Sequence, residues 1–263
     1  CSSRSIAFYQ TTLQKMFAHI TKIYYSVTTE DIRLYLSNYQ DTNKVSKSTI
    51  DNMRRIISSF FSWLESEDYI VKSPARRIHK VKTPKLVKEV FSDESIELMR
   101  QNCKNPRDLA IIDLLYSTGI RVGELVRLDI SDVDFSNKEC IVFGKGDKQR
   151  KVYFDAKTKI HLQQYIETRK DNNPALFVSL LYPYNRLKVS GVEIALRKIG
   201  EHLEIGNVHP HKFRRTLATK AIDKAMPIEQ VQHLLGHAKI DTTLEYAMVD
   251  DENVKISHKK YLG

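Results

Sequence analysis

The sequence predicts a mainly α protein with one small antiparallel β-sheet, in two parts: a helical N-terminal domain and a mixed C-terminal one. Three observations point there. Apolar residues recur at spacings of three and four through the first 64 residues, the period of amphipathic helices. A pair of β-rich runs, Glu139–Phe143 and Arg150–Phe154, flanks a glycine-lysine turn and reads as a hairpin. Between the helical stretch and the rest lies a basic run punctuated by Pro74 and Pro84, the composition of a connection.

The N-terminal part opens with a helix over residues 5–22, its apolar face made by Ile6, Tyr9, Leu13, Phe17 and Ile20. Thr28 or Thr29, followed by Glu30 and Asp31, starts a second helix that carries Ile32, Leu34, Tyr35, Leu36 and Tyr39. After a loop at Asp41, Ser48 and Asp51 have the spacing of a capping box and open a long helix through Ile50, Met53, Ile57, Phe60, Phe61 and Leu64. The basic run follows. Lys72, Arg76, Arg77, Lys80, Lys82, Lys85 and Lys88 have no acid among them. Such a run suits a linker that contacts phosphates and contributes salt-sensitive affinity. The expected division is a helical domain over 1–83, a linker over 84–90 and a second domain over 91–263.

Ser92, Asp93 and Glu94 cap the first helix of the second part, and residues 107–117 read as a buried helix. Gly119 ends that helix and Arg121 enters the next. An arginine at a helix start opposes the dipole, so an anion held by the backbone N–H groups and the guanidinium would explain it. The hairpin spans 139–154 with its turn from Gly144 to Gln149. That turn is no P-loop, because it lacks the GxxxxGK[ST] spacing and no helix follows. A helix over 156–169, a loop at 171–174, a short strand at Leu176–Val178 and a helix over 190–203 come next. Asn207 or His209 starts the following helix, Gly236 breaks an apolar run and sets His237 at a turn, and Tyr246 lies in a short helical stretch. A last short helix is expected over 250–261.

Composition narrows the function. The net charge of +10 suits a polyanionic partner. It is uneven: residues 1–90 hold 15 Lys and Arg against 8 Asp and Glu, while residues 91–263 hold 27 against 24. The helical part therefore reads as a nucleic-acid clamp. Cys1, Cys103 and Cys140 form no disulfide framework or CxxC pair, which fits a reducing cytoplasm. No apolar run approaches the ~20 residues of a membrane span, so no membrane partner is expected. The chain opens with Cys1 rather than Met, and so reads as a fragment that leaves room for a further N-terminal segment.

The chemistry concentrates between residues 209 and 246. His211 and Arg214 are three apart and share a helix face. With His237 and the phenol of Tyr246 they suggest phosphoryl transfer to a tyrosine nucleophile. His233 and His237 have a zinc-like spacing, but Gly236 interrupts the helix and no third ligand follows, so no metal is assigned.

Taken jointly, these residues resemble the tyrosine recombinase family, which includes phage integrases, Cre and the Xer proteins. The family pattern His-x-x-Arg, Leu-Gly-His, Tyr is matched by His211, Arg214, Leu235-Gly236-His237 and Tyr246. Upstream, Thr-Gly-x-Arg-x-x-Glu-Leu is matched by Thr118, Gly119, Arg121, Glu124 and Leu125, and Gly-Lys-Gly-x-x-x-Arg by Gly144, Lys145, Gly146 and Arg150. The stretch FFSWLESEDYIVKSPA is similar to the end of the family's core-binding domain. One departure is Arg215, where many relatives have histidine.

The resemblance implies a two-domain recombinase fold and a cofactor-free, metal-free transesterification. Arg121 and Arg214 would bind one DNA phosphate, and Tyr246 would form a 3′-phosphotyrosine. His211 would serve as general acid/base, Lys145 (ahead of Lys148) would protonate the leaving oxygen, and His237 would hydrogen-bond the phosphate. Glu124 would orient an arginine, and Arg76, Arg77, Lys80, Lys82 and Lys85 would contact DNA. Expected partners are double-stranded DNA with inverted-repeat core sites, a homotetramer joined through the C-terminal tail, and an accessory directionality factor. Integration or excision of a bacterial mobile element is the favoured role. Xer-type resolution, a DNA-relaxing topoisomerase and a silent DNA-binding relative stand as alternatives.

Overall fold

The computed structural model describes residues 3–82, 89–144 and 149–244. The chain divides into two compact units, residues 1–87 and 88–263. The first unit packs three helices, α1 (Ser3–His19), α2 (Thr29–Asn43) and α3 (Lys47–Ser66). The starts of α2 and α3 have local causes. Thr28 and Asp31 form a reciprocal capping box at α2. At α3 the cap is Ser46, whose hydroxyl accepts the Thr49 N–H. The capping box expected from Ser48 and Asp51 is therefore not used. Asp51 instead takes Arg54 at 2.8 Å and the Val81 N–H at 3.0 Å, so its carboxylate serves tertiary structure. Met16, Ile32, Ile57 and Phe61 fill the core between the helices.

The basic run is only partly a connection. Residues 74–77 form a short 3-10 helix. Ala75 is buried in the helical core, and Ile78 and Val81 pack against it. The Pro74 carbonyl accepts the Thr29 hydroxyl at 2.6 Å. The reading of the whole run from Lys72 to Lys88 as linker is thus corrected for 74–81: apolar residues interleaved among the cations anchor it. Lys85 lies outside the described residues.

The second unit is built on α5 (Pro106–Thr118). Ala110, Ile111, Ile112, Leu114 and Leu115 are all buried, and the one acid among them, Asp113, is buried against Arg100 at 2.6 Å, so the helix is enclosed on every side. Packed against it are α4 (Asp93–Asn102), α7 (Ala156–Glu167), α8 (Val189–His202) and α9 (Pro210–Asp223). The four-residue α6 (Val122–Leu125), α10 (Ile228–Leu235) and α11 (Asp241–Leu244) complete the α-helices of the described residues.

The sheet has three antiparallel strands, β1 (Val133–Asp134), β2 (Glu139–Phe143) and β3 (Gln149–Tyr153), in the order β1-β2-β3. The expected hairpin is present, with Glu139 opposite Tyr153 and Phe143 opposite Gln149. Cys140, Val142 and Val152 face the core by alternation. The strand expected at 176–178 is reduced to single bridges, Asp129 with Ala175 and Val178 with Arg186. Leu176 and Phe177 bend the chain between the two bridges, and Leu176, Phe177 and Val178 are buried.

The entry to α9 is fixed by a close approach. A Cβ on Gly200 would lie 2.6 Å from the Gly206 carbonyl oxygen and 2.7 Å from Val208 Cγ2. The first of these is backbone and cannot rotate away. Gly200→Ala should therefore destabilise the second unit by about 1–3 kcal/mol, read as a lower denaturation midpoint in guanidinium with unchanged slope.

Candidate active site

Two helix ends meet around Arg214. The side chain leaves α9 buried, and its guanidinium donates to the Gly119 carbonyl at 2.7 Å and the Leu235 carbonyl at 2.6 Å. Gly119 is the left-handed cap of α5, and Leu235 is the last residue of α10. Terminal carbonyls lack intrahelical donors and carry the negative end of the dipole, so a cation buried there is compensated. Arg121 joins the same turn: its Nη2 donates to the Gly236 carbonyl at 3.2 Å. Two guanidiniums are thus anchored to consecutive carbonyls, and His237 follows immediately. Gly236 has φ +63, a left-handed conformation that suits glycine.

Glu124 sits beneath this arrangement, almost fully buried. Its Oε2 accepts the Arg121 N–H at 2.8 Å, and its Oε1 accepts the Arg121 guanidinium at 2.9 Å. Arg150 on β3 adds a bidentate pair at 2.9 and 2.8 Å. Burial alone would raise this carboxyl; the hydrogen bonds from Arg150 and Arg121 outweigh it and hold it at about 2. Glu124 therefore occupies the backbone donor that the sequence reading assigned to an anion. The start of α6 is closed by the protein's own carboxylate, and the cation beside it is paired.

The two imidazoles differ. His237 is buried, with Nδ1 2.9 Å from the Thr243 hydroxyl, and its backbone is tied to Gln232 in both directions. Burial, then the charges of Arg214, Arg121 and Arg150, lower it to about 4, so the ring is neutral at neutral pH. His211 stands at the start of α9, its edge open to solvent. Desolvation by the surrounding protein and the cations of Arg214, Arg121 and Arg215 lower it below its ordinary value, with Glu193 opposing.

The helix that carries His211 and Arg214 is also held to the chain entering the unit. The Phe91 N–H donates to the Thr216 hydroxyl at 2.9 Å, and its ring packs on Phe213 with centroids 4.8 Å apart. Lys212 reaches the Glu89 carboxylate at 3.4 Å, and Arg215 donates to the Glu89 carbonyl at 2.8 Å. The residue that departs from the family pattern thus anchors residue 89.

Of the residues singled out from the sequence, Arg121, Glu124, His211, Arg214 and His237 come together. Lys145 and Tyr246 lie outside the described residues. Arg76, Arg77, Lys80 and Lys82 are exposed on the first unit. Arg150 and Thr243 were missed as site residues. Arg150 stands in the quoted Gly-Lys-Gly-x-x-x-Arg pattern, and its inward placement on β3 was the available signal. Among the described residues no cluster of His, Cys, Asp and Glu could hold a metal ion, and no helix is long and apolar enough to cross a membrane.

Comparison with known proteins gives the same arrangement a context. Residues 89–253 match the phage integrase family, and residues 1–70 match the phage integrase N-terminal SAM-like domain. The chain is 30% identical over 247 residues to tyrosine recombinase XerC of Oceanobacillus iheyensis, covering 89% of this chain and 81% of that protein. It is 31% identical over 244 residues to XerC of Staphylococcus aureus strain USA300, covering 89% and 80%. Among solved structures it is similar to the XerA recombinase, at 25% identity and a TM-score of 0.60 over 100% of this chain and 93% of that one. The Tn1549 transposon integrase in complex with transposon right end DNA shares the fold, with a TM-score of 0.82 at 18% identity over 100% and 95%.

The depressed pKa of Glu124 is a stability statement. Its folded value lies below its ordinary 4.5, so its contribution is complete above that value and is lost as pH falls toward about 2. The stability advantage of the unaltered protein over Glu124→Gln should therefore shrink by about 2 kcal/mol between pH 7 and pH 3. Urea denaturation followed by circular dichroism at the two pH values measures the difference.

Proposed function

Since the chain belongs to the phage integrase family of tyrosine recombinases, enzymes of site-specific recombination, we propose that it cuts and rejoins double-stranded DNA through a 3′-phosphotyrosine. The observation that carries this reading is the pair of guanidiniums anchored to the consecutive carbonyls of Leu235 and Gly236. Arg121 and Arg214 are rigid forks aimed from one turn, suited to the non-bridging oxygens of a phosphodiester. Their charge offsets the negative charge that grows on those oxygens in the transition state.

In the proposed step the Tyr246 oxygen attacks phosphorus and the bond from phosphorus to the 5′ oxygen breaks. The phenolic proton passes to His211, whose lowered pKa leaves it neutral and able to accept. Lys145 protonates the departing 5′ oxygen. His237, whose pKa lowered to about 4 leaves it neutral at neutral pH, serves as a hydrogen-bonding group to the phosphate, its ring held by Thr243. One phosphoester replaces another, so the energy of the bond is retained. Attack by a 5′ hydroxyl from a second duplex reverses the step and completes recombination.

We assign the clamp around DNA to the helical unit, with Arg76, Arg77, Lys80, Lys82 and Lys85 as phosphate contacts. Inverted-repeat core sites, a tetramer joined through the C-terminal tail and an accessory directionality factor complete the proposal. For the biological role, integration or excision of a bacterial mobile element accords with the stretch TLATKAIDKAMPIEQVQHLLGHAKIDTTLEYA, which is similar to the integrases of such elements. The XerC relatives favour a second reading, resolution of chromosome or plasmid multimers.

The test uses nicked duplexes with a randomised core, whose short cleaved strand diffuses away and traps the adduct. The unaltered chain should yield a protein band shifted on a denaturing gel, and Tyr246→Phe should bind the recovered duplex without forming one. No adduct from the unaltered chain, or a shifted band from the phenylalanine variant, would overturn the assignment.

The pH dependence has a definite sign. With His211 as base and its pKa lowered from 6.5, single-turnover cleavage should persist down through pH 6.5 and decline only at lower pH. A decline that sets in above 6.5 would remove His211 from the base role.

A further inference from the structure

Arg150 is the cation of the cluster to which the proposed chemistry gives no task. It is an expensive residue to place there: its side chain is 10% exposed, and a buried guanidinium must recover its lost hydration. It does so by engaging both oxygens of Glu124, at 2.9 and 2.8 Å. Glu124 in turn holds the backbone and guanidinium of Arg121. The stem of Arg150 lies directly under the turn before His237. A Cβ on Gly236 would fall 2.9 Å from Arg150 Cδ, 3.0 Å from Nε and 3.1 Å from Cζ. The same side chain therefore touches the carboxylate that grips one phosphate-binding arginine and the glycine whose carbonyl holds that arginine's other end.

Charge sharpens the point. Glu124 carries one negative charge between two guanidiniums. With Arg150 satisfying both oxygens, the Arg121 cation is only partly spent on it, and Arg121 remains 38% exposed on its side chain. Without Arg150, Arg121 would be the sole charged partner of Glu124 described at that carboxylate. The pair would then neutralise itself where an anion is to be bound. The strand geometry adds a further link. β3 begins at Gln149, and its partner strand β2 ends at Phe143, whose carbonyl accepts the Arg127 guanidinium at 2.8 Å. Both stems of the hairpin are thus pinned to the α6 region by arginines.

We propose that Arg150 is a positioning residue for DNA cleavage: it takes up the charge of Glu124 and underlies Gly236, so that the charge of Arg121 is left for the scissile phosphate and its fork is aimed there. The role rests on the phosphodiester reading above.

The experiment is single-turnover cleavage, at saturating protein, of the duplex recovered with the unaltered chain. One version carries the ordinary phosphate and the other a neutral methylphosphonate at the scissile position. Arg150→Met should bind the duplex within about threefold of the unaltered chain yet cleave the phosphate about 10²-fold more slowly. On the methylphosphonate, which has lost the charge that Arg121 must meet, the deficit should shrink to about fivefold or less. Arg150→Lys keeps the buried charge but loses the fork and should fall between the two. It carries the same comparison if the methionine variant does not fold. Cleavage by both variants at the unaltered rate, or a deficit equally large on both substrates, would overturn the proposal while leaving the phosphodiester reading intact. Absence of any adduct from the unaltered chain would instead overturn that reading, and this one with it.

Discussion

The buried carboxylate of Glu124 is the constraint on which the site depends. A single negative charge, nearly excluded from water, would be costly alone. It is compensated by Arg121 from its own short helix and by Arg150 from the neighbouring strand. Each partner is fixed by a different part of the chain, so helix, hairpin and turn must be in register before the carboxylate is satisfied. A buried ion pair of this kind gains modest net stability, because desolvation offsets much of the attraction. What it gives here is geometry, since one carboxylate fixes an arginine from α6 and another from β3.

Around that hub the backbone performs a task usually given to side chains. The carbonyls at the ends of α5 and α10 have no helical donors, and Arg214 supplies them. The left-handed glycines Gly119 and Gly236 make this possible by turning the chain sharply at each helix end. Arg121 uses the next carbonyl along. The same cations that suit a phosphate therefore also close two helices. Their electrostatic effect is visible in the imidazoles: His237 is driven to about 4 and His211 is lowered, so neither ring is charged at neutral pH. That distribution leaves positive charge on guanidiniums, which cannot titrate away, and leaves histidine free to exchange protons.

The hold on α9 extends the constraint outward. Glu89 and Phe91, at the start of the described part of the second unit, are tied to Lys212, Arg215 and Thr216, and Phe91 packs on Phe213. Those residues interleave with His211 and Arg214 on one helix. The entry of the chain and the orientation of the site are thus determined by the same turns of α9.

The sequence by itself determined the helical first unit, the enclosed helix over 107–117, the paired strands of the hairpin over 139–154 and five residues that the fold brings together, Arg121, Glu124, His211, Arg214 and His237. Each of these is written in local period, in cap chemistry or in a short spaced motif such as His211-x-x-Arg214. Tertiary structure decided what such patterns do not encode. It moved the cap of α3 from Ser48 to Ser46, because Asp51 was claimed by Arg54 and by Val81 thirty residues away. It docked residues 74–81 on the helical core, because Ala75, Ile78 and Val81 gain more by burial than the chain gains by staying loose. It brought Arg150 to the Glu124 carboxylate from β3, 26 residues on in the chain, and set Thr243 against His237. Burial and pairing between residues distant in the chain are not periodic, so no window of sequence contains them; they exist only once the elements are packed.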